Sequence, residues 1–145
     1  MSTKRSITLK GCPIVSEEGA ATETIKPGYL VKGVSSVAKQ TGTGWVPRAL
    51  ALERDELGQG IDNTLQGSGT ESANYASGDR VKVGVYYGGC EVTVFVASGQ
   101  NISEDDFLES AGDGTVKEGS TNPIMRAMET LGAVTVETAL RAQVL

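Results

Sequence analysis

GDRVKVGVYYGGCEVTVFVASG, residues 78–99, decides the fold, because valine occupies every second position on both sides of a glycine pair. A two-residue period is typical of β-strands, and Gly88 with Gly89 accepts the backbone angles of a tight turn. The stretch therefore predicts a β-hairpin with a two-residue loop. Its register would place Val85 opposite Val92 and bring six valines, at positions 81, 83, 85, 92, 94 and 96, onto one buried face.

The opposite face of this predicted hairpin has mixed character. It would pair Lys82 with Phe95 and Tyr86 with Glu91. The charges argue against a second core, yet two aromatic rings need cover. Either Phe95 and Tyr86 pack against a neighbouring protein, or a loop of the same chain covers them.

The composition also favours β-structure. Valine leads, glycine reaches 19 residues and only 5% of residues are aromatic, which suits short strands and tight turns. Val, Leu, Ile and Phe supply 33 of the 145 residues, enough for one domain to fold without disulfides. We expect an all-β protein.

The charge pattern argues against two kinds of partner. A net charge of −5 disfavours binding to nucleic acid through its phosphates. No apolar run reaches the roughly 18 residues of a membrane-spanning helix, and MSTKRSITLKG at the start lacks the apolar stretch of a signal peptide. We expect synthesis in the cytoplasm, with neither nucleic acid nor membrane as a partner.

Catalytic and cofactor signatures are missing from the sequence. The chain contains no histidine, which excludes Ser-His, Cys-His and histidine-metal sites within it. No phosphate-binding glycine loop occurs, and the acids at 104–106 and 113 lack the spacing of a calcium loop. Cys12 and Cys90 are predicted to be thiols, with a crosslink between chains as the less favoured alternative. We predict that the protein is not an enzyme and binds no cofactor or metal.

The N-terminal residues differ from the rest in charge. Lys4, Arg5 and Lys10 are basic, and no acid occurs among the first ten residues. Ile7 and Leu9 alternate with polar residues, so this segment could add as a strand to a sheet edge of another protein; the alternative is a frayed tail. We divide the chain into an extended N-terminal arm, residues 1–24, and a β-barrel domain, residues 25–145. Deleting residues 1–18 is expected to weaken partner binding more than folding.

Several further strands and one long loop are predicted. Trp45, the single tryptophan, is expected to fill the core, with an interface role as the alternative. Residues 58–78 are rich in Gly, Ser and Thr and predict a long loop. The additional strands are predicted at residues 29–32 and 46–53, and a hairpin at residues 107–111 and 115–117.

The C-terminal segment gives conflicting signals. The segment NPIMRAMETLG, residues 122–132, carries the signals of a short helix. Asn122 is suited to the N-cap, Pro123 to the first turn, and Gly132 to the position that ends the helix. These residues predict one short helix at residues 123–131. The alternation of AVTVETALRAQVL, residues 133–145, then indicates a strand that closes the sheet. Helix and strand both stay open for residues 123–131.

Several short motifs occur in a characteristic order: PGYLV at residues 27–31, SGDRVKVGV at 77–85, SGQNISEDDF at 98–107, GDGTV at 112–116 and IMRAMETLGAVTVE at 124–137. Taken together, they resemble a known family, the small β-barrel capsid decoration (cement) proteins of tailed bacteriophages. The chain departs from the family in two places: it has Asp105-Asp106 where the family tends to have Gly-Asp, and its loop at residues 58–78 is longer than the family's pattern.

The resemblance implies a small antiparallel β-barrel with long loops that lies on the outside of a virion. Such proteins commonly form homotrimers on the capsid and hold neighbouring major capsid protein subunits together, so the major capsid protein is the expected partner and the host cytoplasm the place of synthesis. The expected interface residues are Lys4, Arg5, Ile7, Leu9, Lys10, Trp45, Tyr86 and Phe95.

Two other classes of function are compatible with the sequence. A ligand-binding β module of the carbohydrate-binding or adhesin kind would use Trp45, Tyr86 and Tyr87 as a stacking platform. A small barrel enzyme would need two carboxyl groups in one pocket with raised pKa values.

Overall fold

The computed structural model describes residues 7–11, 15–33, 35–53 and 74–145. These residues form β-strands and no helix, so the all-β prediction is confirmed, and none of them lies in a helix that could cross a membrane. The strands are β1 (Thr8–Lys10), β2 (Val15–Ala21), β3 (Val31–Lys32), β4 (Ser36–Lys39), β5 (Ala49–Ala51), β6 (Arg80–Val85), β7 (Glu91–Val96), β8 (Asn101–Ile102), β9 (Phe107–Ser110), β10 (Val116–Glu118), β11 (Met125–Ala127), β12 (Gly132–Ala133) and β13 (Thr138–Val144).

Five strands close into a ring that we call the closed barrel. β7 pairs with β10, β10 with β9, β9 with β11, β11 with β13, and β13 returns to β7. Only the β10–β7 contact in this ring is parallel. The β13–β7 ladder has six residue pairs, which confirms that the last segment closes the sheet. β1 extends the ring along the other edge of β7.

The interior of the closed barrel holds large apolar side chains. Along β13, Leu140, Ala142 and Val144 point inward and are buried, whereas Arg141 between them is exposed, as the two-residue period requires. Leu108 and Met125 join them in the same cluster. The hairpin predicted at residues 107–117 is confirmed by the antiparallel pairing of β9 with β10.

A second sheet nearly closes and is called the seamed barrel. Its strand order is β3-β4-β2-β6-β5, and a single bridge between Leu30 and Leu50 joins the two ends. The Ala51 amide also donates to the Tyr29 carbonyl across this seam at 3.0 Å. Its core consists of small side chains and a few larger ones, namely Ala21, Ala49, Ala51, Val31, Val37, Val81, Val83, Ile25 and Tyr75.

The predicted valine hairpin is wrong in its pairing, although both strands and the turn are where the sequence placed them. β6 pairs with β2 and β5, and β7 lies in the closed barrel. The valines of the two strands therefore pack in two separate clusters. A β-strand can pair with one neighbour along each of its two edges. The edges along which β6 and β7 would have paired with each other are paired with other strands instead.

The helix considered for residues 123–131 is also wrong, because β11 occupies the middle of that segment. Met125 pairs with Leu108 on one side and with Val144 on the other. Met125 and Ala127 are both buried. Two hydrogen-bonded neighbours and a buried face outweigh the local helix signals, since propensity is a weak prior.

The described part of the predicted N-terminal arm lies within the sheets. β1 pairs with β7, and β2 pairs with β6 over six residue pairs. The predicted boundary at residue 24 stays a prediction. Truncation would test whether residues 25–145 fold without the residues before them.

Cys90 is a buried free thiol. Lys4, Arg5, Cys12 and residues 58–73 of the predicted loop lie outside the described residues.

Candidate interaction surface

Three predicted interface residues are buried within the chain. Ile7 is fully buried, and Tyr86 and Phe95 are only 3% and 2% exposed. The same chain therefore covers the two aromatic rings, which was the second alternative for the mixed hairpin face. We correct the prediction for Ile7, Tyr86 and Phe95, because a partner could not reach these side chains in this fold.

Phe95 is covered by the turn that precedes β3. The Tyr29 ring meets it edge-on, with centroids 6.0 Å apart, and Lys26 Nζ lies 3.9 Å from its centroid. Gly28 packs so closely that a Cβ there would lie 2.8 Å from the Phe95 ring, and its φ is +101°. Only glycine satisfies both the contact and the backbone angle.

Glu137, just before β13, links this turn to the closed barrel. Tyr29 Oη donates to Glu137 Oε1 at 2.6 Å, and Lys26 Nζ donates to Glu137 Oε2 at 2.9 Å. Burial, followed by the hydrogen bond to Glu137 and nearby negative charge, raises the pKa of Tyr29 above its usual value. Both oxygens of the Glu137 carboxylate therefore accept hydrogen bonds from the turn before β3. We call Lys26, Tyr29 and Glu137 the joint, because they connect the two barrels.

Tyr86 contributes to no surface platform. Its hydroxyl lies 2.5 Å from Thr8 Oγ1, so it ties β1 to the end of β6. The prediction of a stacking platform formed by Trp45, Tyr86 and Tyr87 is therefore wrong, because Tyr86 is buried. The prediction that Trp45 fills the core is also wrong, because its side chain is 67% exposed while the neighbouring Val46 is buried instead.

Three exposed apolar side chains lie on segments that meet at one end of the closed barrel. The amide of Gly89 donates to the Val144 carbonyl at 2.8 Å, and a Cβ at Gly11 would lie 2.7 Å from Cys90 Sγ. These contacts bring the end of β1, the turn before β7 and the end of β13 together. The exposed side chains on these segments are Leu9, Tyr87 and Leu145, and we call them the apolar end.

Lys10 borders the apolar end. Its Nζ lies 3.2 Å from Glu91 Oε2, and the Lys10 side chain is 73% exposed whereas the Glu91 side chain is only 11% exposed. Lys10 therefore presents its positive charge to solvent while it pairs with a nearly buried carboxylate. Moving the ammonium group away would leave that carboxylate without its ion pair, which is unfavourable.

A row of side chains on the outer wall of the closed barrel escaped the sequence analysis. Phe107 is exposed and lies beside Arg126, whose Nη2 donates to Gln143 Oε1 at 2.7 Å. The alternation of Phe107 with the buried Leu108 is the signal that could have revealed it. The register orders the row as Phe107, Arg126, Gln143, Glu91 and Lys10.

The turn before β9 has an unusual backbone angle. Asp105 has a φ of 74°, in the left-handed region where glycine is favoured. This is the position at which the chain departs from the Gly-Asp pattern. The Asp105 carboxylate forms an ion pair with Arg126. Among the described residues, no group of three or more acidic or cysteine side chains is arranged to hold a metal ion.

The fold of this chain is similar to that of a bacteriophage protein of known structure. No family model and no curated protein sequence matches the chain. The crystal structure of the head fiber gp8.5 N base of bacteriophage phi29 is similar, with a TM-score of 0.57 and 15% sequence identity. The match covers 90% of this chain and 93% of that chain. The two chains therefore share a fold.

Proposed function

We propose that the chain is a structural protein of a bacteriophage virion that binds the outer surface of the capsid and bridges major capsid protein subunits. The observation that supports it most is the likeness to a head fiber base over 90% of this chain and 93% of the other. A match of that extent involves both barrels. A non-enzymatic role is part of the proposal.

The apolar end is the proposed attachment surface. Clustered exposed aromatic and aliphatic side chains are typical of protein interfaces, and Tyr87 is 47% exposed there. Lys10 adds a positive charge, which would attract an acidic shell surface in a salt-dependent way. Of the other expected interface residues, Trp45 is exposed and stays in the proposal, as do Lys4 and Arg5.

We propose that three copies of the chain surround each three-fold axis of the shell, as the family resemblance implies. Each copy would then contact subunits on both sides of a boundary. Quantifying the protein bound per shell at saturation tests this stoichiometry directly.

Capsids assembled from the major capsid protein of the same phage provide the functional test. The chain should bind them saturably and raise the temperature at which they rupture, because a ligand of the intact shell stabilises it. Tyr87→Asp should weaken binding by at least about tenfold, or about 1.4 kcal/mol, because it places a charge in the apolar end.

Val136→Asp is the matched control, since Val136 is exposed but lies just before β13, at the opposite end of that strand from Leu145. It should bind capsids like the unmodified chain. Capsids that rupture at the same temperature with and without saturating protein would refute capsid binding. Equal losses for both variants would refute the apolar end as the attachment surface.

A further inference from the structure

The guanidinium group of Arg48, just before β5, contains a buried nitrogen without a partner. Among the side chains of the described residues, Arg48 Nε is the one buried nitrogen or oxygen that makes no hydrogen bond. A buried donor without an acceptor is unfavourable, and such a group in a folded protein calls for an explanation. Contacts within the chain offer none, because Arg48 also forms no ion pair with another described residue.

Arg48 lies beside the apolar end. The Tyr86 amide donates to the Arg48 carbonyl at 3.0 Å, and the next residue along the chain is Tyr87, an exposed member of the apolar end. Since side chains alternate along a strand, Arg48 shares with Leu50 the face of β5 that packs toward the closed barrel. Arg48 is only half-buried, so part of its side chain is open to a partner at the margin of the proposed attachment surface.

The charge of Arg48 differs from that of Lys10 in what it is free to do. Lys10 is already paired with the nearly buried Glu91 carboxylate. Arg48 can take a carboxylate from another protein without leaving an acid of its own chain unpaired. Its Nε and one Nη lie side by side in a rigid fork that matches the two oxygens of a carboxylate.

The residues around Arg48 are of the types that dominate binding at protein interfaces. Trp, Tyr and Arg are the side chains most enriched among residues whose truncation costs the most affinity. Trp45, three residues before Arg48, and Tyr87 are both exposed. A partner that covers the apolar end would therefore exclude water from the guanidinium group, which strengthens an ion pair made there.

We infer that Arg48 binds a carboxylate of the partner protein, an Asp or Glu side chain on the capsid surface. On docking, the guanidinium group turns outward, and Nε and one Nη donate to the two carboxylate oxygens. This contact gives Nε the acceptor that it lacks in the free chain, so docking removes an unfavourable buried donor and adds an ion pair. The inference rests on the proposed function and names the chemistry that the capsid must present.

The free chain tests whether Arg48 serves the fold. Arg48→Met keeps an unbranched side chain and removes the guanidinium group. Because Nε has no partner in the free chain, Arg48→Met should leave the melting temperature unchanged or raise it. A melting temperature lower by more than about 4 °C, or a variant that does not fold, would show that Arg48 serves the fold and would overturn the inference.

Capsid binding tests whether Arg48 serves the partner. Arg48→Met should weaken binding to capsids by at least about tenfold, since the capsid carboxylate would lose its partner. Arg48→Lys keeps the charge but not the fork, so it should weaken binding by about threefold to tenfold. Arg141→Met is the matched control, because it removes the same charge from an exposed position on β13, and it should bind like the unmodified chain.

The outcomes separate this inference from the proposed function. An unmodified chain that does not bind capsids refutes the proposed function, and the inference with it. If the unmodified chain binds and Arg48→Met binds equally well, only the inference is overturned. Equal losses for Arg48→Met and Arg141→Met, or Arg48→Lys that binds like the unmodified chain, would show that charge alone is recognised and would also overturn it.

Discussion

The two barrels of this chain close in different ways. The closed barrel has an unbroken ring of strand pairs and a core with Leu108, Met125 and Leu140. The seamed barrel closes through one bridge and is lined mainly by alanine and valine. The interior of a small barrel must be filled by large side chains. Where the inward-facing side chains are small, as in the seamed barrel, empty space remains beside the seam.

β5 is the wall that the two barrels share. Ala49 and Ala51 point into the core of the seamed barrel, whereas Leu50 and Leu52 pack in the cluster of the closed barrel. All four residues are buried. A strand that is buried on both faces carries apolar residues at every position, and the sequence of β5 has that character.

The largest effect is expected from a charge in the closed barrel. Val94 is buried among large side chains, so Val94→Asp would bury an unpaired charge and should unfold the protein, with a loss of more than about 4 kcal/mol. Chemical denaturation followed by circular dichroism measures the loss. The same substitution at the exposed Val136 should change stability by less than about 0.5 kcal/mol. Similar losses at both positions would contradict the burial of β7.

A smaller effect tests the difference in packing between the barrels. Ala142→Leu should destabilise the protein by about 1–3 kcal/mol, because it overfills the closed barrel. An apolar cavity of about 240 Å³ lies beside the seam and is bordered by Ala49, Val31 and Val83. Ala49→Leu enters this cavity and should leave the free energy of unfolding within about 1 kcal/mol of its original value. Urea denaturation of both variants compares them directly. A greater loss at Ala49 than at Ala142 would show that the seam is the tighter of the two.

The smallest effect concerns the joint between the barrels. Since the pKa of Tyr29 is raised in the folded chain, only the unfolded chain ionises this group as the pH passes about 10. The free energy of unfolding should therefore fall as the pH rises above that value. Tyr29 is only partly buried, so its share should be well under about 1 kcal/mol.

Tyr29→Phe should make this fall shallower, as measured by denaturation between about pH 9 and pH 11. Tyr87→Phe is the matched control, because Tyr87 is exposed, and its pH dependence should follow that of the unmodified chain. An unchanged pH dependence in Tyr29→Phe would show that the joint does not hold the phenol in its neutral form.

The local sequence pattern was sufficient to locate strands and turns, but it did not predict which strands pair with each other. The alternation of valine located β6 and β7 correctly, since a period of two depends only on neighbours in sequence. The pairing of Val85 with Val15 and of Val94 with Leu140 depends on distant segments. No rule of turn geometry contains that information, so the hairpin prediction failed.

The site was predicted less well, because exposure is a property of the whole fold. Leu9 and Lys10 were identified from local alternation and charge and are exposed. Phe95 was expected at a surface, yet it is covered by a turn whose Lys26 binds Glu137, 111 residues further along the chain. Tyr87 and Leu145 become neighbours only when the turn before β7 and the end of β13 meet.

The position of β7 in the ring has a consequence for synthesis of the protein. β7 takes β13 along one edge, and β1 and β10 along the other. The closed barrel cannot form until residues up to Val144 have left the ribosome, so the strands of the ring that are synthesised before β13 must wait for it. Pairing of segments so far apart is slow, and β7 keeps an unpaired edge throughout that delay. Neighbouring nascent copies on one messenger RNA are therefore exposed to mispairing through this strand.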